Sequence, residues 1–279
     1  MWIWLVLLYG ILKGFREICK KKALTTNSTM EVLFVYTLLS FVLVTPGISE
    51  AIHMDHRYFG LIVIKSFVIF LAWIFSFKAI KKLPISLYGV LDLSRVMFST
   101  FLGITVLNEV MSPLRIVGLI LVCTGLLLLK YKPHAGKESF PVIYVILALL
   151  SCILNAVSGL LDKILMKDIN SSQLQFWYML FLVIFYAIFI LVTKTPVNIK
   201  SSICNKWIWL LSLLIIVADK ALFIANASPD SLVTVMTLLK QAGCIVVILG
   251  GRFIFKEKNT AHKLICAGII IVGITLGTL

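Results

Sequence analysis

The chain has 279 residues, of which 61% are hydrophobic and 14% charged, with a formal net charge of +14. Soluble domains are about 45–50% apolar and about 25% charged, so this composition excludes an ordinary soluble domain, whose surface needs polar cover. The sequence contains no GxxxxGK[ST], HExxH, GxSxG or CxxC motif, and we therefore expect no enzymatic activity, no cofactor and no bound metal.

Ten apolar segments follow one another along the chain, and each approaches the roughly 20 residues that a transmembrane helix needs. Helices are favoured over a barrel because runs such as 119–129 do not alternate polar and apolar residues. The N-terminus lacks a basic start and a cleavage site, so we interpret it as the first span and not as a signal peptide. The predicted spans are residues 2–19, 31–47, 58–77, 84–107, 113–129, 141–161, 174–193, 207–226, 231–251 and 261–279.

A polar connector at residues 130–139 divides the chain into two halves that repeat each other. A shift of 145 residues aligns three pairs of residues, and a shift of 148 aligns a fourth. The pairs are Glu17 with Asp162, Pro84 with Pro229, Arg95 with Lys240, and Glu109 with Glu257. Because five spans is an odd number, the second half must enter the membrane from the opposite side. The predicted fold is an all-α membrane protein of ten transmembrane helices in two inverted five-helix repeats, residues 1–131 and 140–279.

This pattern resembles a known family of transporters. Ten spans in two sets of five, a proline opening the fourth span of each half, and an acidic residue between the fourth and fifth spans are similar to EamA-type members of the drug/metabolite transporter superfamily. The resemblance implies a secondary transporter with a central cavity lined by spans 1, 3, 4, 6, 8 and 9. It implies no single substrate, since the superfamily moves amino acids, quaternary amines, nucleotide sugars and organic phosphates.

Seven ionisable residues fall inside apolar runs, where each costs roughly 2.5–3.5 kcal/mol on insertion scales. They are Lys13, Lys65, Asp92, Arg95, Asp219, Lys220 and Lys240. Asp92 and Arg95 share one helical face, and they form either an internal ion pair or a pair in which Asp92 orients a cavity-facing Arg95. Lys240 has no carboxylate three or four residues away, which favours a place in the cavity over a purely structural pair with Asp219.

Asp219 and Lys220 point about 100° apart on a helix, so each needs its own partner on another helix or in a cavity. The predicted substrate-binding residues are Lys240, Arg95, Lys220, Asp219, Asp92, Gln241, Lys65, Trp73 and Tyr88. Trp73 and Tyr88 either stack on a substrate or pack within the protein. Glu17 and Asp162 are interpreted as gating or coupling acids, or else as solvated charges at the membrane interface. Glu109 and Glu257 are expected to cap helices.

The excess of basic residues inside the spans favours a cavity that accepts an anion or the acid group of a zwitterion. We therefore expect a secondary transporter of a small polar anionic or zwitterionic metabolite that works by alternating access. One alternative is an exporter of cationic drugs or amines, for which unpaired acids and aromatic cages are typical. Others are a component of a lipid-phosphate flippase, and a pore or sensor.

Basic residues in the loops predict the orientation. Loops after odd-numbered spans hold 17 Lys and Arg residues and the remaining loops hold 4, so the positive-inside rule places both termini outside, whereas the family norm is inside. We assign the positive charge to these loops and to lipid headgroups, not to nucleic acid. We expect a multi-pass protein of the plasma (inner) membrane, in which Gly273 and Gly277 mark either a homodimer face or tight packing within the chain.

Overall fold

The computed structural model describes residues 2–109, 112–130, 141–257 and 260–278, and every regular element among them is helical. Ten membrane helices, called spans 1 to 10, follow the predicted order, and seven of them are long and apolar enough by length and composition to cross a membrane. Residues 131–139 of the polar connector between the halves lie outside the described residues. The spans are Trp2–Ala23, Thr29–Val44, Phe59–Lys82, Ile85–Leu91 with Arg95–Leu107, Pro113–Lys130, Val142–Leu165, Ser171–Thr193, Lys206–Asn226, Val233–Leu239 with Gly243–Phe253, and Thr260–Thr278.

Spans 2 and 7 begin in the same way. In span 2 the side chain of Ser28 accepts from the amide of Glu31, whose carboxylate accepts in return from the amide of Ser28. Asn170 and Gln173 form the same reciprocal capping box at span 7, which satisfies backbone donors that a helix start leaves open. Each of these spans is also followed by a short helix, Ile48–Ile52 and Ile199–Ile203, that the apolar pattern did not predict.

The packing of the spans follows an approximate two-fold axis between the halves. Span 1 packs on span 8, and span 6 packs on span 3 in the corresponding way. Spans 2 and 7 pack on each other, as do spans 5 and 10. A two-fold axis produces this arrangement because each contact is either repeated with the halves exchanged or made between equivalent elements. The chain therefore has the predicted architecture of two inverted five-helix repeats.

Spans 4 and 9 each contain a 3₁₀ turn, at Asp92–Ser94 and Lys240–Ala242, 148 residues apart. The sequence alignment of Arg95 with Lys240 was therefore wrong, because Lys240 occupies the place of Asp92. The reason is the connection before span 9, residues 227–232, which is longer than the two-residue connection before span 4. Pro229 accordingly lies in that connection and not at the start of the helix. A 3₁₀ stretch inside a long helix often marks a hinge.

Glycines allow span 1 to cross closely over the 3₁₀ turn of span 9. A Cβ added to Gly243 would lie 2.2 Å from the carbonyl oxygen of Gly10, and one added to Gly14 would lie 2.7 Å from the carbonyl oxygen of Gly243. In the other half, Arg95 takes the place of Gly243, and a Cβ on Gly159 of span 6 would meet nothing within 4 Å. The backbones of spans 1 and 9 thus meet closely, whereas space is left beside Gly159 at the corresponding crossing.

Gly273, in the GxxxG of span 10, packs inside the chain. A Cβ added to it would lie 2.7 Å from the carbonyl oxygen of Gly118 in span 5. This contact accounts for the small residue by close packing of two helices. The homodimer stays a prediction.

Candidate functional site

A polar cavity lies between the halves, and Gly159 is among the residues that line it. It is lined by spans 1, 3, 4, 6, 8 and 9, as the family resemblance implied, together with Tyr178 of span 7. Its volume for the centres of water-sized molecules is about 50 Å³, room for a few waters, since one water needs roughly 10–15 Å³ on this measure. The charged residues that line it are Arg16, Lys65, Arg95, Asp162, Asp219 and Lys240.

Two ion pairs in this cavity connect one half of the protein to the other. Arg16 of span 1 lies 3.6 Å from a carboxylate oxygen of Asp219 in span 8, and the hydroxyl of Tyr178 donates to the second oxygen of Asp219. Lys65 of span 3 lies 2.9 Å from Asp162 of span 6. In each pair, both side chains are nearly inaccessible to solvent, so each cation offsets a buried carboxylate.

Asp92 serves two cations at once. The guanidinium of Arg95 donates to Oδ1 of Asp92 at 2.8 Å, and Nζ of Lys13 in span 1 donates to Oδ2. Arg95 is therefore paired with Asp92 and also lines the cavity, whereas its role in substrate binding stays a prediction. One carboxylate faces two positive charges here.

Among the described cations that line the cavity, only Lys240 has no carboxylate within 4 Å, and Asp162 and Asp219 act on it from farther away. Lys240 lies at the start of the 3₁₀ turn of span 9, is 8% exposed and lines the cavity. Within the described ranges it makes no hydrogen bond or ion pair, and its Nζ lies 5.7 Å from the centre of the Tyr9 ring. The structural partner considered for it, Asp219, is taken by Arg16 and Tyr178.

Lys220 was predicted to bind substrate, but it does not line this cavity. Its Nζ donates to the hydroxyl of Ser172 at the start of span 7. The two neighbours Asp219 and Lys220 do point to different sides of span 8, as their spacing requires. Lys220 was expected in this cavity, and that placement was wrong because sequence does not reveal which of two adjacent residues faces inward. Its role in substrate binding stays a prediction.

Other predicted residues lie around a second, smaller cavity between spans 1, 4 and 9. Asp92, Gln241, Tyr88 and Glu17 line it, and the hydroxyls of Tyr88 and Ser76 are 2.6 Å apart. The side-chain nitrogen of Gln241 is buried and has no hydrogen-bond partner among the described residues. Of the predicted aromatic residues, only Trp73 lines the central cavity.

Glu17 and Asp162 are buried rather than solvated, each 5% exposed. Glu17 accepts from Lys20 at 2.7 Å, while Asp162 faces the central cavity beside Lys65. The interface interpretation of both acids is therefore wrong. The gating or coupling role stays a prediction.

Sequence reasoning missed Arg16, Tyr9 and Tyr178 as lining residues. Arg16 was counted among the basic residues of the loops although it lies within the predicted span 2–19, and in the structure span 1 runs from Trp2 to Ala23. The useful pattern was the spacing of Lys13, Arg16 and Lys20, which a helix brings to one face.

Glu109 and Glu257 cap helices as predicted, but they do so across the halves. The Glu109 carboxylate accepts from the amides of Val233 and Thr234 at the start of span 9, at 2.7 and 3.1 Å. The Glu257 carboxylate accepts from the amides of Ile85 and Ser86 at the start of span 4, at 2.6 and 3.2 Å. We call these contacts the Glu109 clamp and the Glu257 clamp. A carboxylate suits the positive end of a helix.

The local backbone aims both glutamates in the same way. Asn108 and Lys256, the residues before them, have positive φ angles of 54° and 53°. A Cβ added to Gly103 or Gly251 would lie 2.8 or 3.0 Å from the clamping carboxylate, so a glycine makes room for each glutamate. The pattern of a glycine six residues before a glutamate occurs at the same place in both halves.

Two repeats of five spans around a buried, charged cavity define a multi-pass membrane protein built for transport. The chain belongs to the EamA-like transporter family, whose model matches residues 1–131 and again 142–279, and so to the drug/metabolite transporter superfamily. It is a transmembrane transporter with a small-molecule substrate, and not an enzyme. A solved crystal structure aligns over 96% of both chains with a TM-score of 0.66 and 16% identity, which shows the fold alone. No curated protein matches the chain.

Proposed function

We propose that this transporter carries a small polar metabolite with an acid group across the plasma (inner) membrane by alternating access. The observation that carries the proposal is Lys240, a buried cation in the central cavity without a carboxylate partner among the described residues. A buried charge without an adjacent counter-ion is costly, and an anionic group of the substrate would supply that counter-ion.

The cavity suits a cationic drug or amine poorly. A cation exporter needs carboxylates that are free to bind substrate, whereas Asp162 and Asp219 each face a basic side chain of the protein. The rings of Tyr9 and Tyr178 each have a lysine nearby, at 5.7 Å for Lys240 and 4.3 Å for Lys65. An aromatic face already close to an ammonium group is a weak site for a second cation.

The two clamps support alternating access. Glu109 follows span 4 and Val233 opens span 9 after span 8, so the Glu109 clamp lies where even-numbered spans end. By the same argument, the Glu257 clamp lies at the opposite face, where odd-numbered spans end. In this structure both clamps are formed, and the central cavity has room for only a few waters. We propose that opening toward one face breaks the clamp at that face.

Lysines reinforce the same connections. Lys163, near the end of span 6, donates to the carbonyl oxygens of Asn226 and Ser228 at 3.0 and 2.9 Å. At the other face, Lys21 of span 1 donates to the carbonyl oxygen of Leu83. At each face a lysine and a glutamate thus contact the turn that precedes span 4 or span 9, and at the Glu257 clamp Lys263 also lies 3.4 Å from the glutamate.

The test is a thermal-shift screen of the purified protein in detergent with matched anionic, zwitterionic and cationic metabolites. Wild type is compared with Lys240→Gln and with Lys220→Gln, the same substitution outside the cavity. We expect anions or zwitterions to stabilise wild type and Lys220→Gln, and Lys240→Gln to lose this stabilisation. Stabilisation by cations alone, or equal responses of both variants, would overturn the proposal.

A further inference from the structure

We infer that the substrate is a compact dianion without an ammonium group, of the chemistry of a phosphate monoester or a dicarboxylate. This inference rests on the proposed function and narrows it. It follows from the charge balance of the side chains in and around the central cavity, and from the contacts that occupy each carboxylate.

The buried centre of the described chain carries two more cations than carboxylates. The cations are Lys13, Arg16, Lys20, Lys65, Arg95 and Lys240. The carboxylates are Glu17, Asp92, Asp162 and Asp219. Three of the four carboxylates form one-to-one pairs with cations. The pairs are Glu17 with Lys20, Asp162 with Lys65, and Asp219 with Arg16.

One excess charge lies at the wall of the central cavity, and the other lies between that cavity and the smaller one. One is Lys240, which has no carboxylate partner in the described segments. The other arises where Lys13 and Arg95 share the single carboxylate of Asp92. Arg95 lines the cavity, and its Nε is buried without a hydrogen-bond partner in the described part of the structure. A guanidinium with an unused donor and an ammonium group in the wall of the same cavity form an arrangement that binds an oxyanion.

A zwitterion would leave this imbalance in place, because its ammonium group cancels its own acid group. That ammonium group would also need a carboxylate, and each carboxylate of the cavity already faces a cation. A monoanion would neutralise only one of the two excess charges. A dianion neutralises both and brings no charge that lacks a partner.

The experiment measures affinities for methyl phosphate and methyl sulfate, which have the same shape and differ in charge. Methyl phosphate is a dianion at about pH 7.5, above its second pKa of about 6, and methyl sulfate is a monoanion. For wild type and for Lys220→Gln we expect methyl phosphate to bind about tenfold more tightly or better, as one additional charged hydrogen bond would give. Phosphoethanolamine, with its ammonium group, should bind more weakly than methyl phosphate.

Two variants remove one excess charge each. Lys240→Gln leaves the three one-to-one pairs intact, and Arg95→Gln leaves Asp92 paired with Lys13. We expect both to fold and to lose the preference for methyl phosphate over methyl sulfate. The double variant, whose centre has no excess charge, should bind neither. Melting temperatures close to that of wild type identify the variants that are folded.

The outcomes separate this inference from the proposed function. Equal binding of methyl phosphate and methyl sulfate, lost in Lys240→Gln, would overturn the dianion and leave the anion transporter standing. Tightest binding of phosphoethanolamine would do the same in favour of a zwitterion. If phosphatidic acid in mixed micelles binds and methyl phosphate does not, the dianion site stands and the soluble substrate is overturned. If no anion binds, both proposals are overturned.

Discussion

The buried carboxylate of Asp162 shows how single residues hold the two halves together. Its partner Lys65 also lies 3.4 Å from the hydroxyl of Ser158 and 4.3 Å from the centre of the Tyr178 ring. Both charged side chains are almost fully buried. In such an environment, removal of one partner is costly because the other charge is left without compensation.

We expect Asp162→Asn to lower the free energy of unfolding by about 3–5 kcal/mol, since it leaves Lys65 buried and unpaired. The double variant Lys65→Met with Asp162→Leu should recover most of this loss, because it removes both charges. Denaturant unfolding in detergent measures both values. An Asp162→Asn protein as stable as wild type would show that the pair is not formed.

At the residue scale, the sequence identified Lys240 and Arg95 as cavity residues but misplaced Lys220 and missed Arg16. A charge inside an apolar run is costly to insert into the membrane, which indicates that it needs a partner. It does not reveal the direction in which the side chain points, which depends on helix packing. Arg16 was missed because it was counted with the basic residues of the loops, although it lies within the predicted span 2–19.

The crossing of spans 1 and 9 sets the place of Lys240 at the scale of elements. Gly10 contacts the backbone of this turn, where an added Cβ would lie 3.0 Å from the carbonyl oxygen of Lys240. The contact leaves no room for a larger residue at Gly243. Cores tolerate an inserted methyl group poorly when the neighbouring atom is backbone.

We expect Gly243→Ala to destabilise the protein by about 1–3 kcal/mol or more, because the new Cβ would push apart the backbones of spans 1 and 9. Gly159→Ala is the matched control, since nothing lies within 4 Å of its added Cβ. Melting temperature and the monodisperse fraction after size-exclusion chromatography measure the effect. If Gly243→Ala melts at the same temperature as Gly159→Ala, the close crossing is contradicted.

The clamps make a second prediction at this scale. We expect Glu109→Gln to expose the central cavity at the face where even-numbered spans end, and Glu257→Gln to expose it at the opposite face. A charged hydrogen bond contributes about 1.5–3 kcal/mol. The fraction of molecules whose cavity is open at the face of the altered clamp should therefore rise about tenfold or more. The reporter is Ser99→Cys in the cavity wall, with the exposed Cys204 replaced by serine.

An impermeant maleimide is applied to sealed vesicles of each orientation. The protein without Ser99→Cys gives the background from the native cysteines. Faster labelling from the same face in both glutamate variants would contradict the assignment of one clamp to each face.

Sequence predicted the ten spans well because a run of apolar residues is itself the requirement for crossing a bilayer. It did not predict the 3₁₀ turns of spans 4 and 9, since these differ from α-helix only in hydrogen-bond register and need no particular residue. The shift of 148 residues between Glu109 and Glu257 was visible in the sequence. That each glutamate caps a helix of the other half was not, because that contact depends on the packing of the repeats.

The charge distribution bears on the orientation of the whole molecule. Arg16 and Lys20, counted as loop residues in the sequence, are buried and paired. Most of the remaining lysines and arginines still follow odd-numbered spans. The positive-inside rule then continues to favour cytoplasmic odd loops and external termini.

Cys204 reports this orientation directly, because it is exposed and lies between spans 7 and 8. We expect an impermeant maleimide to label Cys204 only after cells are permeabilised, with Cys204→Ser as the control. Labelling of intact cells would place the termini inside, as in the family norm.

The central claim is that the cavity around Lys240 is the transport path of an anion. Its most direct test is counterflow of the tightest-binding anion into proteoliposomes that contain wild type, Lys220→Gln or Lys240→Gln. We predict uptake by wild type and Lys220→Gln, and a loss of about tenfold or more in Lys240→Gln, where a charged contact is missing. Uptake by Lys240→Gln at the rate of Lys220→Gln would contradict the account.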